Sequence, residues 1–295
     1  MFSYRHAFHA GNHGDVLKHV VLLQLLDHLA LKDAAFWVID THAGAGVYAL
    51  NGPQASKRHE FDDGIGRIFQ RKDAPPAVAE YLDLVRQSNE DGDLRRYPGS
   101  PFIALQRMRA QDRLRLFEAH VNESRILAAN LEQLGRDATR RTVARAGDGF
   151  DGLKAWLPPA PRRGLVLIDP SYEDKEDYRR VVITLKDALT RFATGCYLVW
   201  YPLVQRRESR ELPAKLSRLS GVRWLQLSLT IRQPSSDGLG LHGSGLFVVN
   251  PPWTLRESMR SALPWLAKAL GENDAGDWMI DSDDGARSRR KSADA

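Results

Sequence analysis

A single cysteine, Cys196, stands in a chain of 295 residues. One thiol closes no intramolecular disulfide and builds no cysteine-based zinc site. Its neighbours Tyr197, Leu198, Val199 and Trp200 give it the setting of a strand interior. Long hydrophobic runs are missing too. None approaches the roughly 20 residues that span a bilayer. The opening Met1-Phe2-Ser3-Tyr4-Arg5-His6 has no apolar signal core, so a cytoplasmic protein without a membrane partner is expected. His6, His9, His13 and His19 share no single helical register, and no His-Glu-x-x-His occurs. No metal is expected.

What is present is the composition of an ordinary globular protein, 43% apolar and 27% charged. The formal charge is +5. Arginine pairs carry much of the excess: Arg95-Arg96, Arg140-Arg141, Arg162-Arg163, Arg179-Arg180 and Arg206-Arg207. Such pairs can neutralise phosphates, or they can coat solvated helix faces. Composition leaves both open.

Apolar runs alternate with helical spacings, the pattern of an α/β sheet. Strands are predicted over 35–40, 114–118, 142–146, 164–168, 195–201, 222–231 and 246–249, seven in all, with the 222–231 segment alternating like a late antiparallel strand. A helix runs to about Leu31 with Asp15 placed as its cap; Val16, Val20, Leu23 and Leu26 give its spacing. Residues 52–98 read as an inserted helical subdomain, with Phe61, Ile65 and Ile68-Phe69 in one short helix and Tyr81 to Val85 in another. The expected organisation is a core of 1–51 and 99–271, with an N-terminal arm over 1–15, and a partly disordered tail over 272–295. Within that tail, Trp278-Met279-Ile280 offers a possible edge contact.

Four strand ends carry the chemistry, because ligands of open α/β sheets sit just beyond the carboxyl ends of the strands. The first strand runs into Thr41-His42-Ala43-Gly44-Ala45-Gly46, a turn that admits close backbone approach. The second ends at Glu118, the third leads into Gly147-Asp148-Gly149, and the fourth, Gly164 to Ile168, stops at Asp169-Pro170-Ser171-Tyr172. That last edge presents a carboxylate, a proline-fixed carbonyl and a flat ring together, a set suited to a planar base with an exocyclic amine. The plain alternatives are a surface glutamate at 118 and a turn at 169–172. Gly44-x-Gly46-x-x-Ala49 also fits the loose dinucleotide fingerprint, but the acid-terminated second strand that should follow is replaced by a loop-like stretch.

In this order the acids have separate tasks if the ligand is S-adenosylmethionine. The glycine turn, Gly44 and Gly46, admits the methionine end; Glu118 holds the ribose; Asp148 accepts from the adenine amine. The sequence resembles class I S-adenosylmethionine-dependent methyltransferases bearing an [Asp/Asn/Ser]-Pro-Pro-[Tyr/Phe/Trp] tetrapeptide. More narrowly it resembles the RlmJ family of 23S ribosomal RNA adenine-N6 methyltransferases. Ser3 to His13 with Asp15-Val16-Leu17-Lys18-His19 is the most specific match; Asp40 to Gly46, Tyr97-Pro98-Gly99-Ser100-Pro101 and Arg191-Phe192-Ala193-Thr194-Gly195 add to it. The resemblance implies a Rossmann-like fold with a seven-stranded, mostly parallel sheet. It implies His19, His42, Ser100, Glu118, Asp148 and Gly149 around the cofactor, and Asp169 as the catalytic carboxylate with Pro170 and Tyr172. It also implies Tyr4, His6 and Lys18 as an arm near the RNA, and adenine 2030 as the target. Ser171 departs from the pattern, where proline is expected.

Asn250-Pro251-Pro252-Trp253 fits the tetrapeptide better. Its late position argues against it, since only one helix and a tail follow. Three other functions remain open to test: a DNA adenine-N6 methyltransferase, a nicotinamide-dependent oxidoreductase, and a non-catalytic RNA-binding protein with a methyltransferase-like fold. A monomer is expected.

Overall fold

The computed structural model describes residues 6–51, 60–238, 240–285 and 288–289. Its strands are β1 (Trp37–Asp40), β2 (Val47–Ala49), β3 (Arg96–Pro98), β4 (Arg113–Glu118), β5 (Thr142–Ala146), β6 (Gly164–Ile168), β7 (Cys196–Leu203), β8 (Trp224–Thr230), β9 (Gly243–Val249), β10 (Asp277–Ser282) and β11 (Ser288–Arg289). Nine of them form one sheet in the order β11-β10-β8-β9-β7-β6-β1-β4-β5, while β2 and β3 form a separate antiparallel pair. Every pairing from β5 to β7 is parallel. β9 is antiparallel to both β7 and β8, and β10 to both β8 and β11. Relative to β7, β9 and β10 are therefore reversed, and β8, antiparallel to both its neighbours, runs with β7.

The expectation of seven strands is corrected by the chain beyond residue 272. Asp277–Ser282 pairs with β8 from Leu225 to Thr230 and buries Ile280 and Ser282. Its apolar signal is three residues in an acidic stretch, too short to separate a paired strand from an edge contact. β6 is buried at every position, which is why its sequence is apolar without alternation.

The helices are α1 (His13–Ala30), α2 (Pro76–Gln87), α3 (Ser100–Arg107), α4 (Val121–Gln133), α5 (Arg136–Arg141), α6 (Gly149–Gly152), α7 (Glu176–Arg191), α8 (Arg207–Leu216) and α9 (Trp253–Leu270). α1, α2, α3, α4 and α9 share one hydrophobic cluster on one face of the sheet; residues of α6, α7 and α8 build the second cluster on the other. Of the expected insertion, 52–59 lies outside the described residues. The rest has no core of its own, because Ile65, Ile68, Val78, Tyr81 and Leu82 pack in the same cluster as the leucines of α1. Among the described residues no helix is long and apolar enough to cross a membrane.

Asp15 is not the cap of α1. Asn12 caps it, its Oδ1 accepting from Gly14 N at 2.9 Å and Asp15 N at 3.0 Å. Asp15 is thereby freed for another task, three residues into the helix.

Candidate active site

Parallel pairing brings the carboxyl ends of β1, β4, β5 and β6 to one edge, and a cleft lies there. Its lining includes His19, His42, Gly44, Ser100, Glu118, Asp148, Gly149, Asp169 and Pro170, so nearly all residues expected around a cofactor converge. Gly46 does not line it. It shapes the turn instead: its φ is +82°, and a Cβ there would come within 2.7 Å of the Phe102 ring.

Glu118 stands half-buried with both oxygens engaged, accepting from Gly44 N and from His120 N, each at 2.7 Å. Burial raises its pKa although those two N–H groups pull the other way. A carboxylate retains lone pairs beyond two such bonds. Asp148 caps α6 through Phe150 N at 2.9 Å, and its second oxygen pairs with Arg180 at 2.8 Å. His42 packs edge-on against Phe150, with centroids 4.8 Å apart. Burial drives its pKa down to about 4, so the ring is neutral at pH 7.

Asp40, not singled out from sequence as a site residue, organises the floor. It accepts from Ser100 Oγ at 2.6 Å and from His42 N at 3.1 Å. Burial pushes its pKa up to about 6. The available signal was its place at the end of β1, a fourth acid at the same sheet edge. His19 lines the cleft from α1 and is tied to Tyr97 OH at 2.8 Å, which in turn meets Tyr81 OH at 2.9 Å. That chain fastens α1 to β3 and α2.

Asp169 lies where this cleft meets a second cavity. Lys18 and Ser171 share that boundary. Lys18 Nζ donates to Asp169 Oδ2 at 2.5 Å and to Asp15 Oδ1 at 2.7 Å, and Asp15 Oδ2 accepts from Gly11 N at 2.9 Å. Burial works against the Lys18 charge, but the two carboxylates outweigh it and hold its pKa above the usual range. Lys18 belongs to α1 and is buried, at the boundary of the two cavities. Tyr4 lies outside the described residues, and of His6 only the backbone is described, at the start of a short 3-10 turn.

Tyr172, Tyr178 and Trp200 wall the second cavity. The Tyr172 backbone is left-handed, with φ +54°. Its hydroxyl donates to Trp200 O at 2.7 Å, its N–H to Asp177 Oδ2 at 3.2 Å, and Arg206 donates to its carbonyl at 3.1 Å. Those contacts hold the loop that lacks a proline at 171. The rival tetrapeptide follows β9, which runs antiparallel to β7, and so emerges at the opposite edge of the sheet. There Asn250 Nδ2 donates to Ala193 O and Gly195 O, both at 2.8 Å, just before β7 begins, and Trp253 is 81% exposed. The glycine turn, for its part, leads into β2 rather than into the helix that a dinucleotide fingerprint needs.

The family model described as "Ribosomal RNA large subunit methyltransferase D, RlmJ" matches residues 33–282. A relative from Haemophilus influenzae, "Ribosomal RNA large subunit methyltransferase J", is 42% identical over 282 residues, covering 95% of this chain and 98% of its own. One of the same name from Escherichia coli is 44% identical over 270 residues, covering 92% and 94%. A crystal structure of a Legionella pneumophila protein is similar with a TM-score of 0.83 at 33% identity, covering 93% of this chain and 98% of that one.

Proposed function

The chain belongs to the RlmJ family of large-subunit ribosomal RNA methyltransferases, and on that premise we propose that it methylates the N6 amine of an adenine turned out of its RNA stack. It is a 23S ribosomal RNA methyltransferase that uses S-adenosylmethionine; the base, the atom and the residue roles are the proposal. Following the family resemblance, the target is adenine 2030.

The charge balance of the cleft favours a cationic cofactor. Five carboxylates line it, from Glu118, Glu123, Asp148, Asp169 and Asp177, against two cations, Lys18 and Arg180. S-adenosylmethionine carries a sulfonium and an ammonium and fits that balance. Glu118 would accept from its ribose hydroxyls, Asp148 from its adenine amine, and the turn at Gly44 would admit its methionine end. When bound, the cofactor supplies an activated methyl group.

The observation that carries the reading is Asp169 standing at the junction of two cavities, with Lys18 fixing its second oxygen. An adenine amine is a weak nucleophile because its lone pair is delocalised into the ring. Hydrogen bonds from that N–H2 to Asp169 and to the Pro170 carbonyl favour a pyramidal nitrogen with its lone pair directed at the cofactor cleft. Fixed alignment supplies much of the rate advantage. The Asp169 carboxylate stabilises positive charge as it develops on nitrogen, before a proton leaves. Reaching the second cavity requires the base to leave its stack; Tyr172 and Trp200 offer aromatic walls there.

Nucleoside mass analysis tests this. Ribosomal RNA incubated with the protein and S-adenosylmethionine should gain N6-methyladenosine; methylation of ribose or of another base would overturn the assignment. Duplex DNA under the same conditions should gain none.

A further inference from the structure

The β5–β6 crossover is made by the four-residue α6, a 3-10 turn over Leu153–Trp156 and a proline-rich loop, whereas β6 and β7 are joined through the 16-residue α7. One sheet face is therefore thinly covered at β1, β4 and β5. Trp37 pairs with Arg113, Ile39 with Arg115, Arg115 with Val143, and Phe117 with Arg145. Paired residues point to the same side of a sheet, so Trp37, Arg113, Arg115, Val143 and Arg145 share this face. The Arg115 guanidinium lies 4.2 Å over the Trp37 ring, and that of Arg145 lies 5.0 Å over Trp156. Arg113 also lines a shallow cleft with Arg140 and Arg141.

Among the described residues none of these five arginines forms an ion pair with a carboxylate. Asp112 is held by Arg109 at 3.0 Å, and Arg113 and Arg141 donate to the carbonyls of Ala110 and Met108. Asp137 lines the same shallow cleft; its backbone carbonyl accepts from Arg141 Nε at 3.3 Å, and among the described residues its carboxylate forms no ion pair with any of them. Burial first, then the charges of Arg113 and Arg145, push the Arg115 pKa down. Unmatched like charges on one surface oppose folding; an external polyanion relieves them. A guanidinium over an indole can still present N–H groups to a phosphate. Arg115 Nη1 donates to Leu114 O at 2.9 Å and Arg141 O at 3.4 Å, which leaves its other N–H groups for that contact.

We propose that the β1–β4–β5 arginine face, centred on Arg115 and Arg145, is a second RNA contact that grips the phosphate backbone away from the catalytic cleft. This rests on the reading of the chain as a ribosomal RNA methyltransferase. β4 and β5 lie two and three strands from β6, roughly 10 and 14 Å across the sheet, so the contact engages RNA beyond the target nucleotide. A competing account makes the arginines lids for the indoles and charged guards of the open β5 edge. It predicts no change in RNA affinity when the charge is removed.

The experiment uses the full chain and transcribed 23S rRNA. Arg140→Gln with Arg145→Gln alters two exposed side chains; Arg115→Gln is made separately because its stem is packed. The double variant should lower the slope of log K against log salt by about 1–2 and raise Kd roughly tenfold near 0.15 M salt. The loss should fall on KM, with the S-adenosylmethionine-induced melting shift intact, and lysine at both positions should restore most of the affinity. Unchanged Kd and salt slope in both variants would overturn the proposal. Methyl transfer by the wild type on the same RNA is the control: if it is present and the variants bind normally, only the surface assignment fails; if it is absent, the functional reading fails as well.

Discussion

Replacing Lys18 by methionine tests the ion triad at the junction of the cavities. The side chain is buried, its ammonium lies 2.7 Å from Asp15 and 2.5 Å from Asp169, and the Asp15 side chain is 2% exposed. Methionine keeps most of the volume, so packing changes little while two carboxylates lose their shared cation. Removing one partner of a buried pair costs about 3–5 kcal/mol. With an unfolding entropy of about 2.1 cal/mol/K per residue, that corresponds to a melting temperature lower by roughly 5–8 °C. Adding Asp15→Asn should recover part of the loss, because the amide oxygen still accepts from Gly11 N while one stranded charge is gone. Thermal unfolding by circular dichroism at pH 7, without cofactor, gives all three values. A Lys18→Met protein that melts within a degree of wild type, or a double variant weaker than the single, would refute the triad.

His42 supplies a pH signature. Its folded pKa is pushed by burial to about 4, against 6.5 when unperturbed. The unfolded chain binds more protons between those values, so the stability that His42 contributes at pH 7 is lost as pH falls from 6.5 to 4. The slope is about 1.4 kcal/mol per pH unit for one proton; His42→Gln should flatten the urea-melt curve by that much, and an unaltered slope contradicts the assignment. Asn250→Ala removes two hydrogen bonds to backbone carbonyls and should cost about 1–2 kcal/mol with kcat unchanged; a collapse of kcat would revive the rival tetrapeptide. Gly46→Ala places a Cβ 2.7 Å from Phe102 at a left-handed φ. It should lower stability by roughly 2–4 kcal/mol, and a neutral result would show that the turn relaxes freely.

The sheet edge was legible because apolar strands ending in acids leave a direct trace. Glu118, Asp148 and Asp169 were placed by counting strands, and the structure brings them to one cleft. Direction was harder to read. Nothing in Gly243–Val249 announces a reversed strand, yet that reversal is what sends Asn250 to the far edge. The helix start was misread because Asn12 and Asp15 are both good caps, and only the fold shows that Asp15 is committed to Lys18. Long-range pairs such as Ser100 with Asp40, and His19 with Tyr97, join residues 60 and 78 positions apart. No local pattern encodes them. β10 was understated for a similar reason: its partner β8 covers it, and its own composition does not.

The most direct test is labelled-methyl transfer to 23S rRNA by Asp169→Asn beside the wild type, with the cofactor-induced melting shift measured on both. The account predicts that transfer falls by at least about 100-fold while S-adenosylmethionine still raises the variant's melting temperature. Transfer by Asp169→Asn at the wild-type rate would contradict it.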